Sequence, residues 1–163
     1  MAEEITNEIV AKVSPQAIKK LIGTFFFTGF SPILPATVAS FFSLILPFFL
    51  HPFPLLYLLI TFSIFFLGVH IATDLEKIWG KDARRITIDE VLGILVTFLF
   101  ITPINWKILF GGFLLFRFFD IAKLPFIKKS QKIRGGWGVM IDDLLAGILS
   151  NLALRFLILL GLN

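Results

Sequence analysis

The chain has 163 residues, of which 57% are hydrophobic and 16% are charged, whereas soluble domains average about 45–50% apolar and about 25% charged residues. A soluble fold of this size has too little interior for so much apolar surface, so this composition and the mean hydropathy of +0.92 indicate an integral membrane protein. The absence of cysteine excludes disulfides, zinc–thiolate sites and thiol nucleophiles. The net charge is +4, but in a membrane protein the placement of charge matters more than its sum, and no nucleic-acid partner is expected.

Residues 1–22 are predicted to form a polar, amphipathic N-terminal helix that lies in the cytoplasm or at the membrane interface. Ile5, Ile9 and Val13 stand near helical spacing, and Pro15 interrupts the pattern. This segment carries acids and has no apolar core, so it is not a cleavable signal peptide. Residues 23–163 are predicted to form the membrane-embedded domain.

The apolar runs predict the number of membrane spans. The first, from Leu21 to Leu50, is broken by glycine and proline, which predicts a loop at 29–36 and a helix near 37–50 with Thr37 as its N-cap. Further runs lie at about 54–71, 86–103, 105–120 and 139–160. Because a span needs about 20 residues, the predicted fold class is an all-α polytopic membrane bundle of about five spans. Four spans plus a re-entrant segment is the alternative.

The basic residues predict the orientation of these spans. Twelve of the fifteen lie in three groups, at 1–22, 72–85 and 121–138. Five spans would place all three groups on one side, which the positive-inside rule makes cytoplasmic. The basic run at 123–134 contains no acid and is expected to attract anionic lipid headgroups.

Five acids stand at the ends of predicted spans. Asp89 and Glu90 open the third span, Asp120 closes the fourth, and Asp142 and Asp143 open the last. The predicted topology puts all five on the cytoplasmic face. Ionisable groups at membrane depth cost about 2.5–3.5 kcal/mol each and usually serve a function. In the alternative interpretation, acids at helix N-termini complement the helix dipole, at about 0.3–1 kcal/mol each. That interpretation does not fit Asp120.

Several carboxylates at low dielectric repel one another, and a hard divalent cation removes this problem. We therefore expect Mg²⁺ to bind among Asp89, Glu90, Asp142 and Asp143, with Asp120 as a further ligand or a base.

The basic and hydroxyl side chains near these acids suggest an anion partner. Lys123 lies one helical turn after Asp120, and Arg134 stands beside the glycines that lead into the last helix. Both are predicted to hold phosphate oxygens. The alternative for the glycine segment is an interfacial turn anchored by Trp137. Ser31 and Thr37 are further candidate donors to the substrate.

Four segments resemble the phosphatidylglycerophosphatase A family in the family's order, over roughly residues 24–160. They are Ser31–Ser40, Ile88–Gly93, Phe116–Lys123 and Arg134–Gly147. The resemblance implies a bacterial inner-membrane, Mg²⁺-dependent phosphatase that converts phosphatidylglycerophosphate to phosphatidylglycerol, on the route to cardiolipin. It also implies that the five acids belong to the active site. Ala36 stands where the family usually has glycine, and Pro125 lies one place later than the family's proline.

Other phosphatase chemistries lack their motifs here, because the chain has no cysteine, no Asp-x-Asp pair before a threonine and no histidine motif. Metal-assisted hydrolysis remains, with water or a carboxylate as the attacking group. The rival functions are a small cation channel or transporter with a ring of acids, and another phospholipid-headgroup enzyme. The sequence leaves the oligomeric state and the role of residues 1–22 open.

Overall fold

The structure is a computed structural model that describes residues 14–122, 130 and 133–161. Within these ranges the regular secondary structure is entirely helical, as predicted. The helices are α1 (Pro15–Gly23), a 3₁₀ turn (Thr28–Phe30), α2 (Pro35–Ser43), α3 (Ile45–Leu50), α4 (Pro54–Trp79), α5 (Ile88–Thr97), α6 (Trp106–Ala122) and α7 (Gly136–Leu159).

Proline sets the start of three of these helices. Pro15, Pro35 and Pro54 stand in the first turn, where a fixed φ suits the helix and no hydrogen-bonded N–H is lost. Pro15 therefore begins a helix, while the rest of the predicted N-terminal helix falls on residues 1–13, outside the described ranges. Helix α2 begins two residues before Thr37, so that threonine lies in the first turn and is not the N-cap.

Helix α5 is the centre of the bundle and packs against α2, α3, α4, α6 and α7. Nine of its ten residues are buried. Its closest approach is to α7, where an added methyl group on Gly147 would lie 2.7 Å from the carbonyl oxygen of Gly93. The small residues that the sequence places one turn after the acids therefore let these two helices meet backbone to backbone.

Side chains of α7 hold the C-terminal end of α5. The Asn151 side-chain amide donates to three carbonyls at this end, including that of Leu99 at 3.0 Å. Arg155 donates to the Asn151 side-chain oxygen at 2.8 Å and to the carbonyls of Leu99 and Phe100 at 3.0 and 3.1 Å. These bonds satisfy carbonyls that a helix end leaves without intrahelical partners, and they fix α5 relative to α7.

The prediction of about five spans is wrong. Among the described helices, only Pro54–Trp79 is long and apolar enough to cross a membrane. Turns interrupt the apolar runs, so α5 has only 10 residues, a rise of about 15 Å against a hydrocarbon core of about 30 Å. Helix α6 has 17 residues and α7 has 24, but α7 carries Asp142, Asp143 and Arg155. A count of apolar residues along the chain could not detect these interruptions.

Much of the apolar excess lies on the outside of the bundle. The rings of Phe62, Phe66, Phe110, Phe118 and Phe156 are all more than half exposed. An exterior of this kind is far more apolar than that of a typical water-soluble monomer. The composition is therefore accommodated by an apolar surface as well as by an apolar core.

Candidate active site

One cavity of about 650 Å³ lies between α2, α5, α6 and α7, and the segment after α4 closes one side. Its lining combines six carboxylates with two guanidinium groups and a hydroxyl, and apolar side chains complete it. The polar members are Asp82, Asp89, Glu90, Asp120, Asp142, Asp143, Arg84, Arg117 and Thr37. The structure thus brings all five acids singled out in the sequence to one cavity.

The positions of these acids in their helices test the helix-dipole interpretation. Asp89 and Glu90 lie in the first turn of α5, where the dipole favours negative charge. Helix α7 begins at Gly136, so Asp142 and Asp143 lie beyond its first turn. Asp120 is near the C-terminal end of α6, where the dipole disfavours an acid. Complementing the dipole therefore accounts for only two of the five.

Glu90 is part of a network that joins three helices. Its Oε2 accepts a hydrogen bond from Ser40 Oγ of α2 at 2.8 Å and one from Arg117 Nη1 of α6 at 2.7 Å. The same Arg117 nitrogen lies 3.0 Å from Asp120 Oδ2. Burial raises the pKa of Glu90, and the Arg117 charge opposes that effect. Only the other oxygen of Glu90, Oε1, could ligate a metal without breaking this network.

Asp89 and Asp143 have a different environment from Glu90. Within the part of the chain that the structure describes, Asp89 Oδ1 and Asp143 Oδ2 are buried and accept no hydrogen bond. Burial first, and then the charge of Glu90, raise the pKa of both groups well above the usual range. A buried acceptor without a partner is costly, so these two oxygens are well suited to a ligand.

Arg117 was not among the predicted site residues, yet it is central to the site. Its side chain is 13% exposed. Two sequence signals could have identified it: it is a charged residue inside an apolar run, and it stands three residues before Asp120 on the same helix. Asp82 and Arg84 line the cavity as well and were not among the predicted site residues, because residues 72–85 were used only as a basic group that sets the orientation.

The predicted substrate-binding residues have different locations. Thr37 lines the cavity. Ser31 donates to the carbonyl of Ile33 at 3.0 Å and is not on the lining. Arg134 is exposed and also lies off the lining. Lys123 lies outside the described residues.

The residues present fit a Mg²⁺ ion that is coordinated by both the protein and a phosphate group. In the described ranges, no three acidic or histidine side chains are close enough together to form a metal cage by themselves. Mg²⁺, however, is usually held by one or two carboxylates, with waters and substrate phosphate oxygens completing the shell. Asp89 Oδ1 and Asp143 Oδ2 supply two such oxygens from neighbouring helices. Six carboxylates against two guanidiniums would also repel a phosphate dianion unless a cation were present.

Comparison with known proteins agrees with the family resemblance of the four sequence segments. The sequence model of the family described as Phosphatidylglycerophosphatase A matches residues 21–158. The chain is 38% identical to a putative phosphatidylinositol-3-phosphatase of Bacteroides thetaiotaomicron, over 83% of this chain and 91% of that protein. It is 31% identical to phosphatidylglycerophosphatase A of Escherichia coli, over 84% and 81% of the two chains. The Haemophilus influenzae protein of that name is 35% identical over 57% and 58%. No solved structure matches the chain.

Proposed function

The chain belongs to the phosphatidylglycerophosphatase A family and is therefore a phosphatase of phosphatidylglycerophosphate, and we propose that it performs the hydrolysis in the 650 Å³ cavity with Mg²⁺. The observation that carries this proposal is the convergence of six carboxylates, from three helices and the α4–α5 segment, on one cavity. When these carboxylates are ionised, a divalent cation would balance their charge and allow a phosphomonoester to enter.

In this proposal Asp89, Glu90, Asp142 and Asp143 hold Mg²⁺, with Asp89 Oδ1 and Asp143 Oδ2 as the first ligands. The bound ion would supply charge neutralisation for the phosphate and acidify water at the site. Asp120 comes from a different helix and acts as the base. Water loses a proton to Asp120 while its oxygen bonds to phosphorus. The bond from phosphorus to the glycerol oxygen breaks, and that oxygen takes a proton from solvent.

The cavity rim suits a lipid substrate. Leu34 and Ile121 line the cavity and yet are 65% and 70% exposed, so they border both the polar lining and the apolar exterior. We propose that the diacylglycerol part of the substrate lies against this rim, with Thr37 as a hydroxyl donor to the headgroup. Ser31, Lys123 and Arg134 remain proposed contacts for incoming phosphate.

The test is phosphate release from phosphatidylglycerophosphate in detergent, with Mg²⁺ and with a chelator. Asp142→Asn and Asp143→Asn should abolish turnover without loss of folded protein. Asp74→Asn is the matched control, because Asp74 pairs with Lys19 and Lys77 away from the cavity. Near-normal turnover in both site variants would contradict the assignment.

The similarity to the Bacteroides protein supports a second candidate substrate. Phosphatidylinositol 3-phosphate is also a lipid phosphomonoester, so the same cavity chemistry would apply. Rates on the two lipids and on phosphatidic acid should be compared under identical conditions. A higher kcat/KM on phosphatidylinositol 3-phosphate than on phosphatidylglycerophosphate would make phosphatidylinositol 3-phosphate the preferred substrate.

We further propose that the site faces the cytoplasmic side of the inner membrane and that anionic lipids bind nearby. Support comes from the basic run at 123–134 and from two basic side chains that lie beside aromatic rings. Lys20 Nζ lies 6.0 Å from the Trp79 ring centre, and Arg85 lies 5.2 Å from that of Phe30. Aromatic and basic side chains together are typical of membrane interfaces. Labelling of single-cysteine variants at residue 85 in intact and inverted vesicles would test the orientation.

A further inference from the structure

In the part of the chain that the structure describes, the polar contacts of the Arg117 guanidinium are all made by one nitrogen, Nη1. Its Nη1 lies 2.7 Å from Glu90 Oε2, 3.0 Å from Asp120 Oδ2 and 3.4 Å from Ser40 Oγ. Among the residues described, Nε of the same group is buried and has no hydrogen-bond partner. The three acceptors therefore hold one end of the guanidinium and leave its opposite edge without a protein acceptor at Nε.

The covalent geometry of arginine gives this edge a specific use. The guanidinium is planar, and its Nε–H points in the same direction as one N–H of Nη2, on the side away from Nη1. This pair forms the fork that binds two oxygens of a phosphate at once. Arg117 lines the same cavity as the acids, so a phosphate bound in that cavity is the candidate acceptor for this fork.

We propose that Arg117 is a substrate-binding residue whose Nε–Nη2 edge binds two oxygens of the terminal phosphate, and that Ser40 Oγ, Glu90 Oε2 and Asp120 Oδ2 hold its other end in place. This rests on the proposed function, because it takes the phosphomonoester as the occupant of the cavity. It also assigns Glu90 Oε2 to holding Arg117. The other cation of the lining, Arg84, is exposed, so Arg117 is the better ordered of the two.

The decisive variant is Arg117→Lys. A lysine keeps a positive charge for Glu90 and Asp120, but it cannot offer two parallel N–H donors. Arg155→Lys is the matched control, because Arg155 donates to Asn151 and to backbone carbonyls at the far end of α5. Bound Mg²⁺ is expected to raise the melting temperature of the wild type, and it should do so equally in both variants.

The experiment measures the affinity for inorganic phosphate by calorimetry with Mg²⁺ present, and KM and kcat for phosphatidylglycerophosphate. Loss of charge-assisted hydrogen bonds predicts that Arg117→Lys weakens phosphate binding about 10- to 100-fold and raises KM, while Arg155→Lys matches wild type. Unchanged phosphate affinity in Arg117→Lys overturns the proposal, even if kcat falls. So does a wild-type protein that binds no phosphate.

A second measurement needs no variant. The ¹H–¹⁵N resonance of Arg117 Nε should shift on titration of the wild-type protein with inorganic phosphate, whereas that of Arg155 should not. An unmoved Arg117 resonance at saturating phosphate overturns the proposal. If the wild type releases no phosphate from the lipid, the proposed function fails, while phosphate binding and this resonance still decide the role of Arg117.

Discussion

Ser40 Oγ lies 2.8 Å from Glu90 Oε2, in a buried contact that joins α2 to α5. The same hydroxyl lies 2.8 Å from the carbonyl oxygen of Ala36, one turn earlier in its own helix. Ser63 makes an equivalent bond to Leu59 at 2.8 Å, but its side chain is exposed and reaches no carboxylate. The two serines therefore differ mainly in the bond to Glu90.

Ser40→Ala should lower the free energy of unfolding by about 1.5–3 kcal/mol, because it removes a buried hydrogen bond to a charged group. Ser63→Ala should change it by less than about 0.5 kcal/mol. Chemical denaturation of both variants in the same detergent checks the difference. Equal stability of the two variants would show that the Ser40–Glu90 bond contributes nothing.

Asp143→Asn should abolish the Mg²⁺-dependent rise in melting temperature. Without Mg²⁺ the variant should be at least as stable as wild type, because the amide replaces a carboxyl group whose ionised form is disfavoured by burial, which raises its pKa. The control Asp74→Asn should keep the full Mg²⁺ effect. A Mg²⁺ effect of normal size in Asp143→Asn would remove this residue from the ligand set.

The stability of the metal-free protein should fall as the pH rises. Asp89 and Asp143 have pKa values well above the usual carboxyl range, so between that range and the raised values the folded state binds more protons than the unfolded state. Their contribution to stability is therefore full at low pH and is lost as these groups ionise. Thermal unfolding from pH 5 to pH 9 in a chelator should show a falling melting temperature.

Added Mg²⁺ should flatten this profile, with the largest effect at the highest pH, because ligand carboxylates must be deprotonated to bind. A melting temperature that rises with pH in the metal-free protein would contradict the raised pKa values.

Gly147→Ala should separate α5 from α7, because the new methyl group would lie 2.7 Å from the backbone oxygen of Gly93. We expect a loss of about 1–3 kcal/mol in stability and a loss of activity, since the carboxylates of both helices move. Gly68→Ala is the control, because there the added methyl group meets the flexible end of Met140. Similar losses in both variants would show that the α5–α7 contact is packed no more tightly than the contact between Gly68 and Met140.

The family could be predicted from the sequence, and the family comparison confirms it, because the resemblance rests on four polar segments in order. The five acids could also be placed at one end of the bundle, because each stands near the end of an apolar run. The span count could not be predicted, because the ends of α5 are determined by turns and by side chains of α7.

The contacts between helices also could not be predicted from the sequence. Ser40 and Glu90 lie 50 residues apart, and Arg117 is a further 27 residues along the chain. Nothing in local spacing indicates that a serine in one apolar helix meets a carboxylate in another. The role of Arg117 depends on this meeting, so only the three-dimensional arrangement makes it visible.

The backbone contact between Gly93 and Gly147 leaves α5 and α7 no room to approach each other further. The bonds from Asn151 and Arg155 fix the other end of α5. Any closure around a lipid headgroup is therefore expected from the rest of the lining, where Pro32 and Leu34 lie outside a helix. The protein thus pairs a fixed wall that carries four of the acids with lining residues that lie outside the helices.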